Sequence, residues 1–183
     1  ATNLPGLDGW TREVVADGQV VDHDAALPTT QFASVDDGYL STYGIQLVDG
    51  RFFDSRDSVD STPVAVVDQR FADRYGAIDG VIGRRFRLDP ESADQAMVTI
   101  IGGISPIRLG NPVDTPAPSL LTPLRQQPAR YVSLAVRTNG DPAAYAPRLV
   151  DAIRSIDADT PAYWVRTYEQ VIRQATFDFR LLA

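Results

Sequence analysis

Pro63-Val64-Ala65-Val66-Val67-Asp68-Gln69-Arg70-Phe71-Ala72, continuing through Asp73-Arg74-Tyr75-Gly76, decides how this chain folds. Val64 to Val67 is apolar without interruption and rich in β-branched side chains, so neither side of it faces water. Such a run is a strand buried on both faces. Asp68 then stands where a helix N-cap belongs, because its short carboxylate can take the first free amides of a helix. Gly76 stands where a helix ends, since glycine enters left-handed backbone at little cost. The sequence predicts a buried strand over 63–67 running directly into a helix from Asp68 to Tyr75.

Working outward, the same signals recur. Upstream, Gln31 to Val35 reads as a strand, Asp36 to Tyr43 as a short helix stopped by Gly44, and Ile45 to Val48 as another strand. Nearer the start, Val14-Val15 and Val20-Val21 flank Asp17-Gly18, which predicts a hairpin. Downstream, Arg84 to Leu88 alternates basic and apolar side chains, the period of a half-exposed strand. Met97 to Ile104 is a second β-rich run, expected to pair with it. A loop carrying Pro106, Pro112, Pro116 and Pro118 follows and excludes a helix or a central strand there. It is expected to cross between two lobes. Tyr131 to Thr138 and Ala162 to Arg166 are predicted strands. Between them Asp141-Pro142 opens a helix whose face is Tyr145, Leu149, Ala152, Ile153 and Ile156, and Thr167 with Gln170 forms a capping box for a last helix. The tail therefore reads strand–helix–strand–helix, and the middle mixes short strands and short helices.

Composition narrows the function. The chain has 183 residues, a net charge of −7, no cysteine and one histidine. A chain this long buries roughly 70% of its unfolded surface, enough for one domain or two small lobes. The absence of cysteine excludes a disulfide scaffold, a zinc ribbon and a thiol nucleophile. The acidic balance argues against nucleic-acid binding, which needs a basic face. All seventeen basic residues are arginine, and aspartate outnumbers glutamate twenty-one to three, which reads as coding bias. No window approaches the roughly 20 apolar residues that span a bilayer. Ala1 at the start, and the apolar Phe177 to Ala183 at the end, predict a soluble piece of something longer.

Constellations that could carry chemistry are few. His23 lies in Asp22-His23-Asp24, but neighbouring side chains diverge, so a solvated turn is expected rather than a base or a metal site. Asp54, Asp57 and Asp60 with Arg56 form an acidic loop without the glycine and glutamate of a calcium-binding EF-hand loop. Arg84, Arg85 and Arg87 around Phe86 make the densest basic cluster, a candidate surface for an anionic partner, although a solvent-facing strand explains them equally. Ile101-Gly102-Gly103-Ile104 is neither a dinucleotide fingerprint nor a phosphate loop. Trp10, Tyr163, Trp164 and Tyr168 could line a ligand pocket, but core packing is the commoner use of such aromatics. No catalytic, cofactor-binding or metal-ligating residue is assigned, no cofactor is expected, and the chain reads as a non-enzyme.

Several stretches, in order, resemble one family. They are Val35-Asp36-Asp37-Gly38-Tyr39-Leu40-Ser41-Thr42-Tyr43-Gly44-Ile45, then Gly50-Arg51-Phe52-Phe53 with Asp57, then Pro63 to Ala72. Ile82-Gly83-Arg84-Arg85-Phe86, Thr99 to Ile104, Val136-Arg137-Thr138, Gly140-Asp141-Pro142 and Ile156-Asp157 follow. Together they resemble the MacB-like periplasmic core domain of FtsX-like ABC transporter permeases, in particular the macrolide-exporter-like predicted permease group. The resemblance covers about four-fifths of the chain and contains no catalytic motif. This chain departs from the family pattern in carrying Asp68 where asparagine is usual, and Asp79 to Gly83 in place of an Asp-Pro-x-Gly turn.

The resemblance implies an α+β fold in two lobes. One is a porter-like α/β lobe built from both chain ends, residues 1–28 and 113–183, with its first strand–helix unit before Ala1. The other is an inserted lobe of short mixed strands and helices, residues 29–112. The implied function is that of a non-catalytic extracytoplasmic domain of a membrane protein, on the periplasmic or extracellular side of the bacterial inner membrane. There it would couple cytoplasmic ATP hydrolysis to export, efflux or partner engagement by lobe motion. The implied partners are a cytoplasmic ATP-binding subunit or domain, a second permease copy and a periplasmic adaptor. The alternatives are a stand-alone secreted or periplasmic ligand-binding module and, further off, an Asp-dependent hydrolase.

Overall fold

Val64 to Val67 lies in the middle of a sheet. The computed structural model describes residues 1–2, 5, 9–20, 26–92, 95–110 and 114–180, with the backbone alone at 175 and 177–180. The strands are β1 (Trp10–Ala16), β2 (Thr29–Val35), β3 (Leu47–Gly50), β4 (Val64–Asp68), β5 (Arg85–Leu88), β6 (Ala96–Ile104) and β7 (Ser119–Pro123). The helices are α1 (Tyr39–Tyr43), α2 (Gln69–Tyr75), α3 (Ile78–Val81), α4 (Pro142–Ile156) and α5 (Tyr168–Arg180). The sheet order is β3-β6-β4-β7-β2-β1-β5, and β5 also pairs with β6. That last pairing closes six strands into a ring. β5 takes Ala96 to Thr99 of β6, and β3 takes Gly102 to Ile104 of the same strand. The pairs β2–β7 and β4–β6 are parallel and the others antiparallel.

Every residue of β4 and β7 is buried. Both are ring strands with a core on each side, which is why no polar face interrupts them. Ala65, Val67 and Leu120 face a core shared with Phe71 and Ala72 of α2, Ile78 and Val81 of α3, and Phe86 and Leu88 of β5. Val64, Val66 and Leu121 face the other core, with Tyr39 of α1, Phe53, Ile107 and Leu109. The β4–α2 junction is as the sequence predicts: the Asp68 side chain accepts the Phe71 amide, and Gly76 follows the last turn. Gly44 ends α1 in left-handed backbone. Helix α1 itself begins at Tyr39, three residues after the expected Asp36.

Other expectations are corrected. The hairpin across Asp17-Gly18 does not form within the described residues: β1 pairs with β2 and β5 instead. Ring closure gives β1 a partner on each side, a larger gain than two valines in a hairpin. The strand β7 was not expected; it is five residues long, between Pro118 and a terminal Pro123, and burial rather than pattern makes it a strand. The proline-rich loop joins β6 to β7 of one sheet. Residues 131–138 and 162–166 form no strand. Apart from two bonds between Ala1 and Ser133, no described segment supplies them a ladder, and β-propensity without a partner does not make a sheet.

The chain divides into residues 1–134 and 135–183. Strands β1 and β7 are hydrogen-bonded into the same sheet as the strands between them. Within 135–183, α4 starts as expected, with Asp141 accepting the Ala143 amide and Pro142 at its first position. Its half-buried positions include Leu149, Val150 and Ile153, whereas Tyr145 and Ile156 are exposed. The capping box of α5 is reciprocal: Gln170 N–H donates to Thr167 Oγ1 at 3.3 Å, and Thr167 N–H donates to Gln170 Oε1 at 2.9 Å.

Candidate functional site

The side chains best equipped for chemistry are spent on one another. Arg51 follows β3, and its guanidinium grips the Asp57 carboxylate with two bonds of 2.8 Å. Asp57 is buried and also accepts the Asp54 amide at 3.0 Å. The guanidinium fork holds its titration below the ordinary carboxylate range, against the opposing effect of burial. Asp54 accepts the Arg56 backbone amide and its guanidinium, which pull it lower still. The expected acidic loop is thus a network stapled by arginine, and Asp60 is exposed beside it. Among the described residues, no group of three His, Asp or Glu side chains is placed to hold a metal ion. His23, Asp22 and Asp24 lie outside the described residues.

Two of the three arginines of the basic cluster are likewise engaged. Arg84 donates to the Tyr75 carbonyl at 3.1 Å and covers the rings of Tyr75 and Phe86 at 6.0 and 5.6 Å. Arg85 pairs with Asp17. Arg87 is half-buried opposite Val15 and Met97. The arrangement packs β5 against α2 and β1, as a solvent-facing strand does. The glycine pair of β6 is also explained by packing. A side chain at Gly102 would strike the Arg51 carbonyl, and one at Gly103 would strike Ile78. These glycines let the chain after β3 and helix α3 close on the sheet.

The four aromatics are exposed rather than packed in a core. Trp10 is 61% exposed, Tyr163 73%, Trp164 85% and Tyr168 45%. A cleft of about 210 Å³ does occur at one end of the ring, lined by Val59, Pro63, Val64, Val98, Thr122 and Gln126 among others. That is smaller than the roughly 300–1,000 Å³ typical of small-molecule sites. Its polar groups are used internally. Gln126 accepts the Val64 amide and donates to Ser61 Oγ and the Thr62 carbonyl, and the Thr122 hydroxyl pairs with Ser34. Sequence reasoning missed both Gln126 and the Arg51–Asp57 fork. Each joins residues whose spacing follows no helix or strand period, so no pattern announces them.

Asp68 is the buried acid that stands apart. It is wholly inaccessible at the end of β4, and its Oδ1 accepts the amides of Phe71 and Ser119, each at 3.0 Å. Arg70 reaches Oδ2 with one bond of 3.3 Å and also donates to the Ile107 carbonyl at 3.0 Å. Burial dominates and raises its titration above the ordinary range.

What the site chemistry withholds, comparison supplies. Residues 1–155 match the family model described as the MacB-like periplasmic core domain. The chain belongs to the MacB-like periplasmic core domain family. No curated protein matches it. Among solved structures, it is similar to the periplasmic region of MacB from Actinobacillus actinomycetemcomitans, at 13% identity and a TM-score of 0.54. That match covers 81% of this chain and 64% of the other, so the chain spans under two thirds of the region it resembles. It is also similar to the extracellular domain of the noncanonic ABC-type transporter YknZ from Gram-positive bacteria. Identity there is 12%, the TM-score is 0.51, and 88% of this chain and 82% of the other are covered. At such identities the two structures establish a shared fold. The MacB-like family is one of transporter periplasmic domains, not a class of enzymes.

Proposed function

We propose that this chain is the non-catalytic extracytoplasmic domain of an ABC transporter permease of the FtsX-like type. Family membership over residues 1–155 is the observation that carries the reading. The chemistry of the described residues is consistent with it: the acids and arginines of the 51–57 loop neutralise one another, and the cleft at the ring end is small. No described helix is long and apolar enough to cross a membrane, as befits a domain outside the bilayer. ATP would be hydrolysed by a separate cytoplasmic component, and this domain would be moved by it to drive export or to engage a partner. A second permease copy and a periplasmic adaptor would complete the assembly.

The porter-like lobe of this reading would centre on residues 135–183, with its helices α4 and α5. The inserted lobe would centre on the ring. Motion of one against the other is the mechanical step, of the rigid-body kind that coupled transporters use. Reading the coding sequence through both ends of this segment tests the proposal. Apolar stretches of roughly 20 residues on both flanks are expected. A cleavable signal before Ala1 with a stop codon after Ala183 would overturn it.

A further inference from the structure

Residues 131–138 have the alternation of a strand and no strand beside them. Val132, Leu134 and Val136 stand at alternate positions and are 59%, 63% and 47% exposed. Among the described residues, no hydrogen bond reaches Leu134, Ala135 or Val136 from another segment. One rung of a ladder is nonetheless present. Ser133 N–H donates to the Ala1 carbonyl at 2.7 Å, and the Ala1 amino group donates to the Ser133 carbonyl at 3.1 Å. Two residues that exchange both bonds are the hydrogen-bonded pair of an antiparallel ladder. Ala1 is half-buried there and packs on one of the two cores. Thr2 anchors the same stretch from the other side: its N–H donates to the Ser34 carbonyl at 2.8 Å, and its Oγ1 accepts the Ser34 amide at 2.9 Å. Ala1 is thus placed as a strand residue, tied on both flanks, rather than as a loose end.

The rung also sets a direction. In an antiparallel ladder, a step back from Ala1 is a step forward from Ser133. The residue directly before Ala1 stands opposite Leu134, and the second before it opposite Ala135. We propose that residues 134–138 are the seat of a further strand, formed by the polypeptide that enters Ala1 in the parent permease, antiparallel and in the register set by Ala1 and Ser133. The inference rests on the permease reading, in which that polypeptide descends from a membrane helix. Its side chains opposite Leu134 and Val136 share their face and withdraw apolar surface from water. The same strand supplies the ladder whose lack leaves 131–138 irregular despite its β-propensity. A second copy of the chain is the poorer occupant, because its strand would have to stop against Ala1 or break the rung.

Disulfide trapping in the intact permease tests the register, with other cysteines replaced and retained ATP hydrolysis as the check on folding. Leu134 and the residue directly before Ala1 form a non-hydrogen-bonded pair, with Cα atoms about 4.5 Å apart, within reach of a disulfide. Leu134→Cys with a cysteine directly before Ala1 is expected to cross-link within one chain. Leu134→Cys with a cysteine second before Ala1 is expected not to, because that side chain points to the other face. Val136→Cys with a cysteine third before Ala1 repeats the test should the first pair disturb folding. Deuterium exchange is an independent readout that needs no variant. The Ala135 amide is expected to exchange roughly fivefold or more slowly in the intact permease than in the 183-residue chain, the protection of one ordinary backbone hydrogen bond. Cross-linking between two copies through Leu134, equal trapping at both upstream positions, or unchanged exchange at Ala135 would overturn the proposal. Signal cleavage at Ala1 would overturn it together with the permease reading. Missing cross-links in a permease with membrane helices on both flanks would overturn it alone.

Discussion

Arg51 and Asp57 show how single residues settle a loop that carries no secondary structure. The carboxylate is buried, so its charge is tolerable only because the guanidinium meets it with two bonds. Arg51→Ala should destabilise the chain by about 1–3 kcal/mol at pH 7, since it strands a buried acceptor. Urea unfolding measures this. The pH dependence has a definite sign. Asp57 titrates lower folded than unfolded, so its contribution is complete above the unfolded value of about 3.9 and fades as pH falls through the folded one. The gap between wild type and Arg51→Ala should therefore narrow steadily below about pH 4. An undiminished gap at pH 3 would mean that the arginine acts through packing alone. At Gly102 the constraint is steric. Gly102→Ala should destabilise the chain, because the added methyl meets the Arg51 carbonyl rather than a movable side chain.

Elements were legible wherever their signals are local. The Asp68 cap and the Thr167–Gln170 box are four-residue patterns, and both are present as read. Thr167→Ala should weaken α5 by about 0.5–2 kcal/mol, visible as faster amide exchange in its first turn. The pairing of β5 with β6 was also readable, from two adjacent β-rich runs. Ring closure was not. It brings Val14 to Ala16 beside Phe86 to Leu88, seventy residues on, and no local pattern encodes that distance. For the same reason β7 escaped notice while 131–138, with the stronger alternation, was expected as a strand. The structure makes opposite demands of the two. Leu121→Ala in β7 should cost about 2–5 kcal/mol, because Leu121 is fully buried. Leu134→Ser should fall within about 0.5 kcal/mol, because Leu134 is exposed. Thermal unfolding of the two variants side by side would expose an error in either assignment. In the candidate site, the acidic loop and the basic strand were visible as charge clusters, while their specific partners needed the fold.

At the scale of the whole molecule, the proposed function rests on how the chain divides rather than on any one cluster. Six strands between residues 10 and 123 close into one ring, and residues 135–183 form a second unit. Limited proteolysis should cut first in the exposed stretch 157–166 and leave the ring intact, as followed by mass spectrometry. The central claim is that these two units move against each other under the control of ATP hydrolysed elsewhere. The chain has no cysteine, so two can be introduced at the exposed Asp60 and Asp151, with any cysteine elsewhere in the transporter replaced. The decisive measurement is the distance between spin labels at Asp60→Cys and Asp151→Cys in the intact transporter, nucleotide-free and trapped with ATP. The account predicts a distribution that shifts with the nucleotide state. An identical distribution in both states, in a transporter that is hydrolysing ATP, would contradict it.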